Sequence, residues 1–304
     1  MSDGAPVALI AGVGHPQGPD VTDDGSIVYA ETYLSRIMIF NQETGPRVLA
    51  DCGGGPNAVL VGRDGLVYFT QNGGQAGEWR SDVQRVPAVE VLDPGTGDIT
   101  TLCTDVDGHP LLAPHDLAWG PDGRLYVTDS GTWAPGGRTE PGRIFAIDED
   151  GHAQTIAEPG HVFPSGIAVE PDCSVLWAEA YTSRVFRLRP DAAPQLVTTL
   201  PDGHVPESIA LDHRGHLWIA ALEAHGFDVV APNGGSREFV WTGGLPLNGV
   251  LARGHLYVTD LGDYDDAMPD PQIVGRILQL AVGVEAAPQT RGRIAPSLSS
   301  PTKA

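Results

Sequence analysis

A repeated sequence frame constrains the fold of this chain more than any other feature. Five segments carry recognisable parts of that frame: "IVYAETYLSRIMIF" (27–40), "RLYVTDSG" (124–131), "VLWAEAYTSRVFRL" (175–188), "HLWIAALE" (216–223) and "HLYVTDLG" (255–262). Self-similarity at a period of about 40–50 residues is typical of stacked supersecondary units. Each unit contains four short apolar or alternating segments separated by glycine turns, which predicts four β-strands per unit.

Aligning the units on their turns identifies one residue in each unit that lies at an equivalent position. In the first five units it precedes the turn residue by seven positions, and the sixth unit has a shorter turn at Arg253-Gly254. The aligned residues are Gln17, Asn57, His115, Ser165, Glu207 and Asn248. Six units of this kind predict an all-β chain folded as a six-bladed β-propeller, with four antiparallel strands in each blade.

The two ends of the chain predict how the propeller closes. The N-terminal segment "VALIAGV" (7–13) is similar to the fourth strands of other units, whereas no fourth strand follows "RILQLAV" (276–282). We therefore expect the N-terminal strand to complete the last blade and close the ring, which removes an exposed sheet edge. The expected organisation is one propeller domain over residues 1–284 and a disordered tail over residues 285–304, which are polar and rich in Ala, Pro and Ser.

Antiparallel blades place two sets of loops at one end of the channel. The loops that lead into the first strands lie on the same face as the loops that join the second and third strands, so the six aligned residues should surround the channel mouth. Three of the latter loops are long: 70–87, 130–142 and 260–275. We expect their large side chains to cover a substrate pocket. These side chains are Trp79, Trp133, Tyr264 and Met268.

Charge and composition exclude several classes of partner. The chain has 39 acidic and 18 basic residues, for a formal net charge of −21, so it should repel nucleic acid and anionic membranes. It has no apolar run long enough to span a bilayer and no signal-peptide pattern at its N-terminus. Its three cysteines are widely spaced and form no disulfide framework. These features predict a cytoplasmic protein whose partner is a small-molecule substrate in the channel mouth.

Two aligned residues can exchange protons near neutral pH. His115 is the only aligned residue with an ordinary pKa near 7, and Glu207 is the only aligned carboxylate, whose pKa should rise inside a narrow channel. We take His115 and Glu207 as candidate catalytic residues. Asp116 is a further carboxylate, although strand alternation predicts that it points away from the side of His115. The candidate substrate-binding residues are Gln17, Asn57, Asp116, Ser165, Asn248, Trp79, Trp133 and Tyr264. The alternative is that the polar residues bind only one another and water.

The units resemble the blades of the senescence-marker-protein/gluconolactonase family, also called regucalcin-like, over roughly residues 7–283. The resemblance implies a propeller that hydrolyses sugar lactones and related esters with one divalent cation in its channel. The family ligands are the Glu of Glu-Gly-Pro in the first blade, the Asn of Pro-Asn-Gly in the fourth and the Asp of Pro-Asp-Gly in the fifth, and the third blade carries Pro-Asn-Asp. The corresponding stretches here are Gln17-Gly18-Pro19, Pro164-Ser165-Gly166, Pro206-Glu207-Ser208 and Pro114-His115-Asp116.

The family register is kept at all four stretches, but the family side chain is replaced at each one. Calcium takes six to eight oxygen ligands and gains most from carboxylates, and the ring has one aligned carboxylate among amides and a hydroxyl. We therefore expect no cofactor, or a weakly bound divalent cation that is best matched by calcium. Its ligands would be Glu207, Asn57, Asn248 and Gln17.

Three functions remain open from the sequence. The leading hypothesis is a small-molecule hydrolase of the lactonase or esterase type, in which Glu207 activates water and His115 shuttles the proton. The alternative is a metal-independent cyclase, lyase or synthase that performs acid/base chemistry on an intermediate of secondary metabolism, similar to the strictosidine-synthase propellers. The third is a propeller that binds a ligand without catalysis, since a fold alone does not establish activity.

Overall fold

Six four-stranded antiparallel sheets build the fold, and their innermost strands pack against one another around a central axis. A computed structural model of the chain describes residues 4–77, 79–131, 133–134, 140–262 and 274–295. Within each sheet the strands follow the chain order from the axis outwards, except in the last blade. This architecture is the six-bladed propeller that the repeated frame predicts, so the predicted fold class is confirmed.

The strands are named first to fourth from the axis outwards in each blade. The first strands are Pro16–Val21, Pro56–Val61, Pro114–Trp119, Pro164–Val169, Pro206–Leu211 and Pro246–Ala252. The second strands are Ile27–Glu31, Val67–Gln71, Leu125–Asp129, Val175–Glu179, Leu217–Ala221 and His255–Asp260. The third strands are Arg36–Asn41, Ala88–Leu92, Gly142–Ile147, Arg184–Leu188, Gly226–Val230 and Gly275–Ala281. The fourth strands are Gly45–Asp51, Ile99–Cys103, Ala153–Gly160, Gln195–Thr199, Arg237–Trp241 and, in the last blade, Val7–Val13.

The N-terminal strand closes the ring as predicted. Val7–Val13 runs antiparallel to the third strand of the last blade, with Val7 opposite Gln279 and Val13 opposite Gly275. Short elements decorate this frame. They are the hairpins Gln75–Ala76 with Trp79–Arg80 and Asp105–Val106 with His109–Pro110, and the 3-10 turns Thr32–Leu34 and Leu222–Ala224.

The core lies between neighbouring blades. The second strands are buried over nearly their whole length, because both faces of a blade pack against adjacent blades. These strands are accordingly rich in β-branched, aromatic and leucine side chains. One contact of this kind joins Tyr68 of the second blade to Trp119 of the third, edge to face with ring centroids 5.0 Å apart. In the parts of the chain that the structure describes, no helix has the length and hydrophobicity needed to cross a membrane.

Residues 285–295 make packed contacts with the propeller, although their composition predicts disorder. The main chain of Ala286 bridges to Asp212 in the fifth blade. Arg291 donates hydrogen bonds to Asp20 and to the carbonyl oxygens of Val21 and Val61. Ile294 is 2% exposed and packs into a hydrophobic cluster of the second and third blades. A polar composition gives no sign of these contacts, since their partners lie far away in sequence. Residues 296–304 lie outside the described residues.

A cavity of about 170 Å³ lies inside the ring of first strands, on the side away from the loops that lead into them. Residues 286–291 line its far end. The central channel therefore has one end marked by the six aligned residues and another end covered in part by the C-terminal segment.

Candidate functional site

A proline opens every first strand, and the aligned residue follows it directly in five blades and one residue later in the sixth. Strand pairing is irregular at this point in all six blades. Such bulges bend a strand and redirect its side chains, and they are common beside functional sites. The repeated bulge therefore lies where the sequence register places the ring.

The structure brings the aligned residues together at the start of the first strands. Each first strand packs against that of the next blade, and the sixth packs against the first, which completes a ring. The Asn57 amide nitrogen donates to the carbonyl oxygen of His115 at 3.0 Å. The Ser165 hydroxyl donates to the carbonyl oxygen of Pro206 at 2.7 Å. Gln17 is buried at the equivalent position of the first blade.

His115 and Glu207 are the two titratable side chains among the six aligned residues. The His115 Nε2 atom lies 3.6 Å from the Glu207 Oε2 atom, and the side chains are 14% and 8% exposed. Burial raises the pKa of Glu207 to about 8, and the neighbouring Asp116 carboxylate raises it further towards that value. Burial lowers the pKa of His115 to about 4, partly offset by a backbone hydrogen bond with Ser165. Near pH 7 the pair is therefore a protonated carboxyl group beside a neutral imidazole.

Asp116 points towards the axis, contrary to the expectation from strand alternation. The bulge of the third blade leaves both His115 and Asp116 out of register with the second strand, so alternation does not hold there. The Asp116 carboxylate accepts hydrogen bonds from the backbone of Leu117 at 3.0 Å and of Ile167 at 3.2 Å, and from the Asn248 side chain. Burial raises the pKa of Asp116 to about 7, against these hydrogen bonds.

Asp116 and Asn248 lie between the ring of aligned residues and the inner cavity. Both line the inner cavity, whereas Gln17, His115 and Glu207 do not. Because the third and sixth blades are opposite in a ring of six, the bond between Asp116 and Asn248 crosses the axis. The structure thus places them as a floor beneath the His115–Glu207 pair.

Aromatic side chains flank the ring on two sides. Trp79 stacks on Tyr33 with centroids 4.9 Å apart, and Tyr33 in turn packs on His15 at 4.3 Å. Trp133 packs edge-on against Phe163 at 5.1 Å, and Phe163 packs edge-on against His115 at 5.5 Å. The structure therefore brings Trp79 and Trp133 near the ring. Tyr264 and Met268 lie outside the described residues.

Tyr181 belongs to the second cluster, because its ring packs on Trp133 with centroids 4.9 Å apart. Sequence reasoning did not assign four residues of these aromatic clusters to the site: His15, Tyr33, Phe163 and Tyr181. The repeated frame contains the signal that finds them. His15 and Phe163 each precede the proline of a first strand, and both have positive φ angles, 53° and 52°. Tyr33 and Tyr181 occupy the same place in the two longest matching segments, "AETYLS" and "AEAYTS".

The ring fits a divalent cation poorly. The Ser165 hydroxyl is turned to a carbonyl oxygen, and the Asn248 Oδ1 atom accepts from the backbone of Gly249 at 2.7 Å. Asp116 already accepts three hydrogen bonds. The oxygen ligands that remain for a cation are those of the Glu207 carboxyl group and of the Gln17 and Asn57 side-chain amides. These are fewer than the six to eight oxygen ligands that calcium takes. Among the described residues, one group of acidic and histidine side chains has ligand atoms close enough together to share an ion. This group is Asp148, Asp150 and His152, which lie on a surface turn outside the channel.

Comparison with known proteins agrees with this architecture. Residues 10–279 match the family model of the SMP-30/gluconolactonase/LRE-like region. A gluconolactonase from Xanthomonas campestris has a similar structure, with a TM-score of 0.71 and 19% identity over 91% of this chain and 89% of the other. Regucalcin from Agrobacterium tumefaciens, a calcium-binding protein, has a TM-score of 0.78 and 15% identity over 96% and 98%. At these identities the two structures show a shared fold.

A plant protein matches part of the chain. Strictosidine synthase-like 13 of Arabidopsis thaliana is 25% identical over 143 residues, which are 43% of this chain and 35% of the plant protein. The chain thus spans about a third of the length of that relative. The family match covers most of the six blades. The chain belongs to the SMP-30/gluconolactonase/LRE-like family.

Proposed function

We propose that this protein hydrolyses lactones or related esters by acid/base catalysis at His115 and Glu207, without a tightly bound metal ion. The buried contact of 3.6 Å between these two side chains carries the proposal. Membership of a gluconolactonase-like family supports an enzyme of the lactonase kind. The small number of oxygen ligands that the ring leaves for a cation favours a reaction that depends on proton transfer by protein groups.

The protonation states assign the two roles. A neutral His115 accepts a proton, and a protonated Glu207 donates one, so the roles are the reverse of those expected from the sequence. A distance of 3.6 Å is too long for a direct hydrogen bond, yet one water oxygen can approach both atoms. Water adds to the acyl carbon while His115 takes its proton. The bond from the acyl carbon to the ester oxygen breaks, and Glu207 delivers its proton to that oxygen. Proton transfer from His115 to Glu207 then restores the pair.

The neighbouring groups support this chemistry by holding the pair in place. Asn57 and Thr70 both donate to the carbonyl oxygen of His115, at 3.0 and 2.8 Å. These bonds fix the backbone of the bulge from the second blade. The buried amides of Gln17 and Asn57 are the groups available to polarise a substrate carbonyl.

The direct experiment measures hydrolysis of a panel of lactones by the wild type and by Glu207→Gln. We expect hydroxy-acid products from the wild type and a loss of about 10²- to 10⁴-fold in kcat for the variant. The wild-type pH profile should fall above about pH 8, where Glu207 loses its proton, and below about pH 4, where His115 gains one. Full activity in Glu207→Gln would refute the assignment.

A second candidate is a cyclase, lyase or synthase that uses the same pair. The aromatic side chains around the ring and the match to a strictosidine synthase-like protein favour it. Mass analysis of the products distinguishes the two, because hydrolysis adds one water to the substrate and cyclisation does not. Binding of cyclic esters with no water added to any of them would favour this candidate.

A further inference from the structure

Two equivalent aromatic walls stand on opposite sides of the ring. The first wall consists of His15, Tyr33 and Trp79, and the second of Phe163, Tyr181 and Trp133. His15 and Tyr33 belong to the first blade, and Phe163 and Tyr181 to the fourth, which is opposite in a ring of six. The tryptophan of each wall comes from a long loop of a neighbouring blade. Trp79 lies in loop 70–87 of the second blade, and Trp133 lies in loop 130–142 of the third.

The backbone supports both walls in the same way. The backbone nitrogen of Tyr33 donates to the carbonyl oxygen of Gly14, and the backbone nitrogen of Tyr181 donates to that of Val162. His15 and Phe163 both have left-handed backbone conformations before proline, where non-glycine residues are uncommon. Residues held in such conformations cluster at functional sites, because the surrounding structure must maintain them. The two walls are therefore a repeated feature of the fold.

The catalytic pair lies between the walls. The Phe163 ring packs against His115 at 5.5 Å, edge to face. On the other side, His15 directly precedes Pro16, which opens the first strand that carries Gln17 of the ring. A substrate whose carbonyl group reaches His115 and Glu207 would thus lie between the aromatic side chains of the two walls.

The charges around the site disfavour an anionic substrate. Three arginines at the start of third strands near this face are paired: Arg36 with Glu31, Arg143 with Asp129, and Arg276 with Asp260. The site offers the carboxyl groups of Glu207 and Asp116, the neutral imidazoles of His15 and His115, and amides. The chain as a whole carries a net charge of −21. Arg80, next to Trp79, donates hydrogen bonds to the carbonyl oxygens of Gly77 and Trp79.

We propose that the substrate is an uncharged cyclic ester that carries a flat apolar ring, which inserts between the two aromatic walls. This inference rests on the proposed hydrolysis at His115 and Glu207 and specifies its substrate class. Aromatic faces gain from stacking on a flat ring, and they gain much less from a hydroxylated sugar, which must give up hydrogen bonds to water. This protein should therefore bind flat apolar lactones more tightly than polyhydroxylated ones.

The test compares binding of two lactams, which resist hydrolysis, to the Glu207→Gln variant by calorimetry. The probes are dihydroquinolinone, a benzo-fused lactam, and δ-valerolactam, which has the same ring without the fused benzene. We expect dihydroquinolinone to bind at least tenfold more tightly. Trp79→Leu and Trp133→Leu in the same background should each reduce that preference by about 3- to 10-fold. The matched control is Trp241→Leu, on a fourth strand and 62% exposed, which should leave the preference unchanged.

The lactam-binding results test the substrate class independently of the hydrolytic activity. A benzo-fused preference that depends on Trp79 and Trp133 supports the substrate class, even if the wild type hydrolyses no lactone and the proposed function fails. Equal binding of the two lactams, or a preference that Trp79→Leu and Trp133→Leu leave unchanged, overturns the substrate class. The same holds if the wild type hydrolyses gluconolactone faster than dihydrocoumarin after correction for their spontaneous rates.

Discussion

At the residue scale, the direction of the His115 and Glu207 side chains depends on the bulge at the start of each first strand. The spacing of seven residues before the turn located His115 and Glu207 in equivalent positions, and the structure places them in contact. The same reasoning misplaced Asp116, because period-two alternation assumes a regular ladder. Nothing in "PHDLAW" marks the bulge, which depends on how six first strands crowd around one axis. The ion pair of Asp20 with Arg291 could not be predicted from the sequence around either residue, because the two lie at opposite ends of the chain.

Replacing Glu207 with Gln should stabilise the protein in a pH-dependent manner. The folded state raises the pKa of Glu207 from 4.5 to about 8, so the folded protein holds this proton more tightly than the unfolded chain does. Stability is therefore lost as pH rises from about 4.5 through 8, and Gln, which has no such proton, avoids that loss. We expect similar free energies of unfolding at pH 4.5 and a gain of roughly 2–4 kcal/mol for the variant at pH 9.

Urea denaturation of both proteins at pH 4.5, 7 and 9 measures this difference. Loss of stability on acidification below pH 6.5, as His115 and His15 become protonated more readily in the unfolded chain, should be common to both proteins. A variant less stable than the wild type at pH 9 would show that Glu207 is an ionised structural partner.

At the element scale, the bulges of the first and fourth blades bring the backbones of neighbouring first strands unusually close. A Cβ atom added to Gly166 would lie 2.5 Å from the Cα atom of Ser208 in the next blade, and one added to Gly18 would lie 2.2 Å from the Cα atom of Ala58. The obstacle in both cases is backbone, which cannot rotate away. Glycine at these two positions is thus required for the first strands to meet at the ring.

Gly166→Ala should therefore destabilise the fold and separate the fourth and fifth blades at the site. We expect a loss of roughly 1–3 kcal/mol in the free energy of unfolding, since overpacking forces backbone shifts. Gly95→Ala is the control, because its new Cβ would meet only a side-chain oxygen of Asp93 in an exposed turn. Thermal melting of both variants gives the comparison. Equal melting temperatures would mean that the first strands can move apart freely.

At the scale of the whole molecule, the repeat made the architecture predictable. Six units, four strands per unit and closure by the N-terminal strand all follow from the pattern of turns and apolar segments, and the structure confirms them. The tail differs because it contributes no repeat. It is held by a few contacts with the blades. Arg291 pairs with Asp20 at 2.8 Å, and the backbone nitrogen of Ile294 donates to the Tyr68 hydroxyl at 2.9 Å.

Arg291 should contribute to the stability of the whole ring through this contact. Asp20 is 1% exposed, so Arg291→Met leaves a buried carboxylate without its cation, and we expect a loss of roughly 2–4 kcal/mol. Asp20→Asn in the same chain should recover part of that loss, because the uncompensated charge is removed. A double-mutant cycle by denaturant unfolding measures the coupling. Additive effects of the two substitutions would show that the C-terminal segment does not stabilise the propeller through this pair.

The central claim is that proton transfer at His115 and Glu207 carries the reaction without a tightly bound metal ion. The most direct test treats the wild type with a chelator, measures lactone hydrolysis, and repeats the assay while titrating calcium, magnesium, manganese and zinc. We expect the activity to survive chelation and calorimetry to detect only millimolar affinity for calcium, the weak end of natural calcium sites. Activity that disappears on chelation and returns with micromolar amounts of one ion would contradict the account.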